Sequence, residues 1–167
     1  MRLVTLLGLL LLTGACAGGE EPVAPEEVEA AVVDPAGPTV QRVLPGDVAR
    51  LQVVQSPEVG AVVADREQYT LYRNEKDGTN PPSSTCLEPE CTLVWVPLLA
   101  RGGQFLAEGV DQSLLSTMKR PDGLEQVTLA GRPLYRYVDD EQAGDAVGNG
   151  VDGQWFAVAP NGDKARP

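Results

Sequence analysis

The chain contains no histidine. That absence removes Ser-His-Asp and Cys-His nucleophilic systems, histidine general bases, and zinc or copper sites built on imidazole. Aromatic side chains are sparse, 5% of 167 residues with only two Trp and four Tyr, so each ring is expected to hold a structural position. Basic residues are also in short supply. Thirteen Lys and Arg face 24 Asp and Glu, a formal net charge of −11. A surplus of that sign repels phosphate backbones, which excludes nucleic acid as a natural partner of the chain.

What is present begins with a leader. Met1 to Ala15 has one basic residue, an apolar run of leucines, and small residues ahead of Cys16. The run is too short to span a bilayer and reads as a secretory signal over 1–15. Gly14 and Ala15 directly before Cys16 resemble the bacterial lipobox, with Thr13 departing from its usual leucine. The pattern implies lipidation of Cys16 and a chain held at the extracytoplasmic side of a cell membrane. From 16 to 47 follows a Pro-, Glu- and Ala-rich stretch whose charges are Glu20, Glu21, Glu26, Glu27, Glu29, Asp34, Asp47 and Arg42. Such a composition has little to bury and repels itself, so it is expected to act as a disordered acidic tether.

A β domain is expected over 48–163, a length that allows a single core. Alternation of apolar and polar residues predicts strands at 49–55, 61–64, 69–74, 92–99, 125–129, 134–138 and 154–159. Two hairpins are expected, 61–64 with 69–74 and 125–129 with 134–138, the second turned at Gly131. One short helix is expected over 109–118, with Asp111 as N-cap and Leu114, Leu115 and Met118 on one face. The fold class is therefore mainly β: a compact sheet or sandwich of about seven or eight short strands. It divides into a first repeat at about 48–100, a connector with the helix at 101–119, and a second repeat at about 120–163.

Cys86 and Cys91 are the other two cysteines. In an exported chain they most simply form a disulfide across their loop. A redox pair or a metal site are the sharper readings, although two thiols without histidine fall short of the four ligands zinc wants. No cofactor is implied. The acidic stretch Asp139, Asp140, Glu141, Asp145 and Asp152 invites a calcium reading. No EF-hand spacing fits it, with Val147 and Phe156 at liganding positions, and a solvated acidic loop is the plainer account.

Two segments echo each other: Tyr69-Thr-Leu-Tyr-Arg-Asn-Glu-Lys-Asp77 and Arg132-Pro-Leu-Tyr-Arg-Tyr-Val-Asp-Asp140. Each centres Leu-Tyr-Arg in a strand-like run, and each is followed by a tryptophan, Trp95 after Tyr72 and Trp155 after Tyr135. Tyr135 and Tyr137, two apart on a strand, share a face, as do Tyr72 and Asn74. Asp140 and Asp77 fall in the loops that follow, where a carboxylate can accept turn amides. The tyrosines are expected to pack in the core with hydroxyls at its rim; a stacking surface for a partner is the functional alternative. Tyr135-Arg-Tyr-Val-Asp-Asp140 is a full Tyr-x-aromatic-x-x-Asp motif, and Leu71 to Asp77 repeats it with Asn74 in place of the aromatic. On these segments, and on Cys86 to Pro97 and Gly144 to Trp155, the sequence resembles a family of secreted-repeat bacterial lipoproteins. Its repeats come in pairs, and the resemblance, over about 60–163, implies no activity.

The residues favour a membrane-anchored extracytoplasmic interaction module whose partner is a protein or a glycan. Tyr72, Asp77, Tyr135, Tyr137 and Asp140 are its candidate surface, and Trp95 and Trp155 its structural rings. A cell-envelope redox or metal-handling protein is the alternative. Catalysis is disfavoured, because adjacent carboxylates such as Asp139 and Asp140 point apart at a strand end. Radioactive fatty acid should label the wild-type chain and leave Cys16→Ser unlabelled; equal labelling of the two would refute lipidation.

Overall fold

The computed structural model describes residues 48–167, so the leader, Cys16 and the tether lie outside the described residues. The chain opens with β1 (Ala49–Ser56) and β2 (Gly60–Asp65), an antiparallel hairpin from Leu51 opposite Asp65 to Ser56 opposite Gly60. Gly60 closes its turn at φ +75°, where a side chain would be strained. Next come β3 (Leu71–Asn74) and the small hairpin of β4 (Gly78–Thr79) with β5 (Pro82–Ser83). A single helical turn, α1 (Pro89–Thr92), leads to β6 (Trp95–Pro97) and then β7 (Phe105–Ala107). The second half repeats the plan with β8 (Leu115–Lys119), β9 (Glu125–Leu129), β10 (Arg132–Pro133), β11 (Tyr135–Tyr137) and β12 (Trp155–Ala157).

The architecture is mainly β, as the alternation predicts, with the strands divided among small sheets. Their orders are β2-β1-β7, β10-β9-β8, β12-β3-β11-β6 and β4-β5. Several local expectations are corrected. No helix forms over 109–118. Asp111 does cap, its carboxylate accepting the Ser113 amide at 2.9 Å, but only a 3-10 turn at Gln112–Leu114 follows. Leu115–Lys119 is instead extended and pairs along β9. Ser113, Ser116 and Thr117 are weak helix formers, and a neighbouring strand satisfies their backbone better. The strand expected over 92–99 is confined to Trp95–Pro97, because Pro89 starts a helical turn just ahead of it.

The expected hairpins are also rearranged. β2 pairs with β1 and touches the next segment only through an Ala64–Thr70 bridge. Asp65 turns the corner there, its carboxylate accepting the amides of Glu67 and Tyr69 at 2.9 and 3.0 Å. The chain then leaves for the four-stranded sheet. In the second half β9 pairs with only Arg132–Pro133 across the Gly131 turn before the chain departs in the same way.

The centre of the molecule is the pairing of the two Leu-Tyr-Arg segments. β3 and β11 run antiparallel, with Tyr72 opposite Tyr135 and Leu71 opposite Arg136. Outside them the tryptophan strands are exchanged. β12, from the second half, pairs with β3; β6, from the first, pairs with β11. Trp155 lies opposite Asn74 and Trp95 opposite Tyr137, so the arrangement has a local two-fold. Backbone bonds repeat it: the Leu98 amide donates to the Leu134 carbonyl at 2.9 Å, and the Val158 amide to Leu71 at 3.0 Å.

The period of two sends alternate residues of this sheet into two cores. Leu71, Leu134 and Val158 join Leu51, Val63, Leu115, Val127 and Leu129 in one. Tyr72, Tyr135, Trp95, Trp155 and Ala157 build the other, with Val62, Cys86 and Ala146. The strands at the centre are thus buried on both faces.

Candidate functional site

The second core gathers the residues that the sequence singles out. Trp95 and Trp155 lie face to face, ring centroids 3.9 Å apart and 4° from parallel. Tyr137 stacks on the far face of Trp95 at 4.3 Å, completing a column of three rings. Tyr72 meets Trp95 edge-on at 5.4 Å, and Tyr135 meets Trp155 edge-on at 5.1 Å. Offset and edge-to-face rings of this kind add stabilisation beyond the area they bury. Both tryptophans and the tyrosines at 72 and 135 are buried, and Tyr137 alone of the five is half-buried.

The hydroxyls at 72 and 135 are not at the rim, as the sequence had suggested, but fully enclosed. The reason is a crossed pair of hydrogen bonds. Tyr72 of the first half donates to Asp140 of the second, at 2.8 Å to Oδ2. Tyr135 of the second half donates to Asp77 of the first, at 2.7 Å. Each aspartate also holds the loop it sits in. Asp140 Oδ1 accepts the Val147 amide at 3.1 Å, and Asp77 Oδ1 accepts the Thr85 amide at 2.7 Å. Burial drives both tyrosine hydroxyls well above their ordinary range, with the facing aspartates adding to it. They are therefore neutral donors, fixed in place.

The two aspartate sites differ. Asp77 is followed by the disulfide Cys86–Cys91, whose Cα atoms lie 5.4 Å apart. The Cys86 sulfur packs 3.9 Å from the Trp95 carbonyl, and the Cys86 carbonyl accepts from buried Arg120 at 3.4 Å. Asp140 is followed by a loop rich in glycine and acid. Burial pushes the Asp140 carboxyl up to about 6, and Asp145 and Glu58 nearby add to the rise against the bonds from Tyr72 and Val147.

Several residues essential to the arrangement were not picked out from the sequence. Gly148 packs into the cluster: a Cβ there would fall 2.9 Å from Trp95, 3.0 Å from Tyr137 and 3.0 Å from Tyr72. Its amide donates to the Tyr72 hydroxyl at 3.3 Å. The Thr85 hydroxyl donates to Asp77 at 2.8 Å, and Ser84 lies 2.7 Å from the Tyr135 hydroxyl. Gln126 links Arg120 to the Leu134 carbonyl, at 2.7 and 2.8 Å. The run Gly144-Asp-Ala-Val-Gly-Asn-Gly150 was the one sequence signal for such a close approach.

Among the described residues no three Asp, Glu or Cys side chains come together as metal ligands, so the calcium reading of the acidic loop finds no assembled site. Asp145 instead accepts the amides of Glu141 and Gln142 at 3.0 and 2.8 Å, closing a local turn. Asp139 is exposed and Asp140 buried, so the two carboxylates do not work as a pair.

With this geometry in hand, the matched segment of the chain can be placed on it. Residues 116–159 match the family model of a secreted repeat of unknown function, a lipoprotein family by name. The resemblance read from the sequence is thereby borne out. The matched span runs from β8 through β12 and carries Tyr135, Tyr137, Asp140, Gly148 and Trp155. No curated protein and no solved structure matches the chain. No helix among the described residues is long and apolar enough to cross a membrane.

Removing either tyrosine hydroxyl leaves a buried carboxylate short of a donor. Tyr72→Phe and Tyr135→Phe should each lower the free energy of unfolding by about 1–3 kcal/mol in urea titrations. Unchanged midpoints for both would show that the crossed bonds contribute nothing to stability.

Proposed function

We propose that the chain is a lipid-anchored interaction module of the cell envelope, held by Cys16 and a tether and binding a protein partner through one end of its four-stranded sheet. The carrying observation is a difference between two positions related by the local two-fold. At one end the Glu75 amide donates to Gln154 at 2.9 Å, and Glu75 is paired with Arg73 and Lys164 at 2.7 and 3.1 Å. Burial raises the Glu75 carboxyl, but its bonds to Arg73 and Lys164 outweigh that and hold it below the usual range. At the other end the matching bond joins Val138 to Val94 at 3.0 Å. Their side chains share a face and are 56% and 36% exposed, with Leu93 beside them at 52%. One end is closed by charge; the other presents aliphatic side chains to solvent.

A protein suits that surface better than a glycan. Sugar rings stack on exposed aromatic faces, whereas here Trp95 and Trp155 are enclosed and what is exposed is aliphatic. The family, a secreted lipoprotein repeat, supports an envelope location. A photo-crosslinking residue placed at Val138 in cells should give one discrete protein adduct that Val94→Asp abolishes without unfolding the domain. The same residue at Leu124, which is 43% exposed elsewhere, should give none. No adduct at Val138, or one indifferent to Val94→Asp, would refute the assignment.

A second reading, cell-envelope electron transfer, is favoured by the ring column and the disulfide beside it. It requires the Cys86–Cys91 pair to exchange electrons reversibly with an envelope thiol donor. A pair that stays oxidised in cells under thiol trapping would remove this reading.

A further inference from the structure

The loop from Asp140 to Gly150 covers the ring cluster with the Gly148 backbone and the small Ala146 side chain. Gly148 is seated against Trp95, Tyr137 and Tyr72, where no side chain fits. On either side of it, Gly144 and Gly150 take φ of +80° and +87°. These are conformations that glycine adopts at little cost, and they bound the segment that would move. Hydrogen bonds and the small buried side chain of Ala146 hold the loop across the cluster. Asp140 accepts from Tyr72 and from Val147, and Gly148 donates to Tyr72. The matching loop of the first half is closed covalently by Cys86–Cys91.

The groups that surround the Asp140 carboxylate come from three elements. Tyr72, a neutral donor, is on β3. Asp145 is on the loop itself. Glu58 reaches in from the turn between β1 and β2, its Oε2 accepting the Ala146 amide at 3.1 Å. Among the described residues the groups acting most on Asp140 are Tyr72, Val147, Asp145 and Glu58, whereas buried Asp65 has Arg136 at 3.2 Å. Asp145 and Glu58 therefore act on Asp140 at the seat of a glycine-hinged loop, and its bonding partners there are the neutral Tyr72 hydroxyl and the Val147 amide.

We propose that residues 144–150 form a lid over the Trp95–Tyr137–Tyr72 cluster, latched by Asp140 and loosened when that carboxyl ionises. The direction follows from linkage. With the lid shut the Asp140 carboxyl is pushed up to about 6, while in an open, hydrated loop it returns towards the ordinary aspartate value of about 4. The closed state therefore binds more protons between these values. Closure is most favoured below about pH 4, weakens as pH rises to about 6, and is level beyond. Opening uncovers ring faces beside Tyr137, next to the Val94–Val138 surface. The lid's existence does not depend on that surface being used.

Amide hydrogen exchange in the full chain tests this. The protection factors of Val147 and Gly148, corrected for intrinsic exchange rates, should fall about 10- to 100-fold between pH 4 and pH 7. The Val158 amide, bonded to the Leu71 carbonyl at 3.0 Å outside the lid, should keep its protection. Asp140→Asn should make the Val147 and Gly148 values independent of pH. Glu58→Gln, at an exposed position, should reduce the fall without abolishing it. A wild-type profile that is flat, or an Asp140→Asn profile as steep as wild type, overturns the latch. Should Asp140→Asn fail to fold, an unaltered slope in Glu58→Gln overturns it as well.

Discussion

The fold depends on a crossed pair of buried hydrogen bonds between neutral tyrosines and carboxylates. Tyr72 and Tyr135 are opposite one another in the central strand pair, and each reaches the aspartate of the other half. A carboxylate without partners in that interior would be strongly disfavoured. Here each aspartate ties a tyrosine from one repeat to a loop amide in its own. The bonds therefore specify which segments meet, and they exclude arrangements in which a repeat closes on itself. The rings add to the same constraint, since Trp95 and Trp155, on exchanged strands, stack across the cluster.

The two halves share this frame and differ in how they finish it. The first closes its aspartate loop with a disulfide and a buried Arg120 from the second half. The second closes its loop with glycine against the rings. At the ends of the sheet the difference takes another form, ion pairs about Glu75 in one place and aliphatic side chains at Val94 and Val138 in the other. The local two-fold supplies the scaffold, and the departures from it are where the two halves differ.

Much of the frame was legible in the sequence. Period-two alternation identified β1, β9 and β11, and the Leu-Tyr-Arg echo identified the segments that pair at the centre. The spacing of Tyr135 and Tyr137 placed both rings on one face. What could not be read is what depends on long-range pairing. The amide of Leu115 has the same local preferences whether the chain there turns or extends; the presence of β9 decides it. Leu-Tyr-Arg looked like the second strand of a local hairpin, because nothing local reveals that each such strand finds its twin some sixty residues away. The partners of Asp77 and Asp140 were missed for the same reason. A loop aspartate has local amides to accept, and only the exchange of strands brings a tyrosine hydroxyl to it.

That exchange has a bearing on whether either half could close alone. A chain with one repeat would own a tyrosine without its aspartate, an aspartate without its tyrosine, and a tryptophan strand with no edge to join. Its missing half is a copy of itself. The geometry is therefore one that two identical chains could also form by exchanging strands. Within one polypeptide, a change in one half need not be matched in the other. The disulfide in one half and the glycine-hinged loop in the other are what such independence permits.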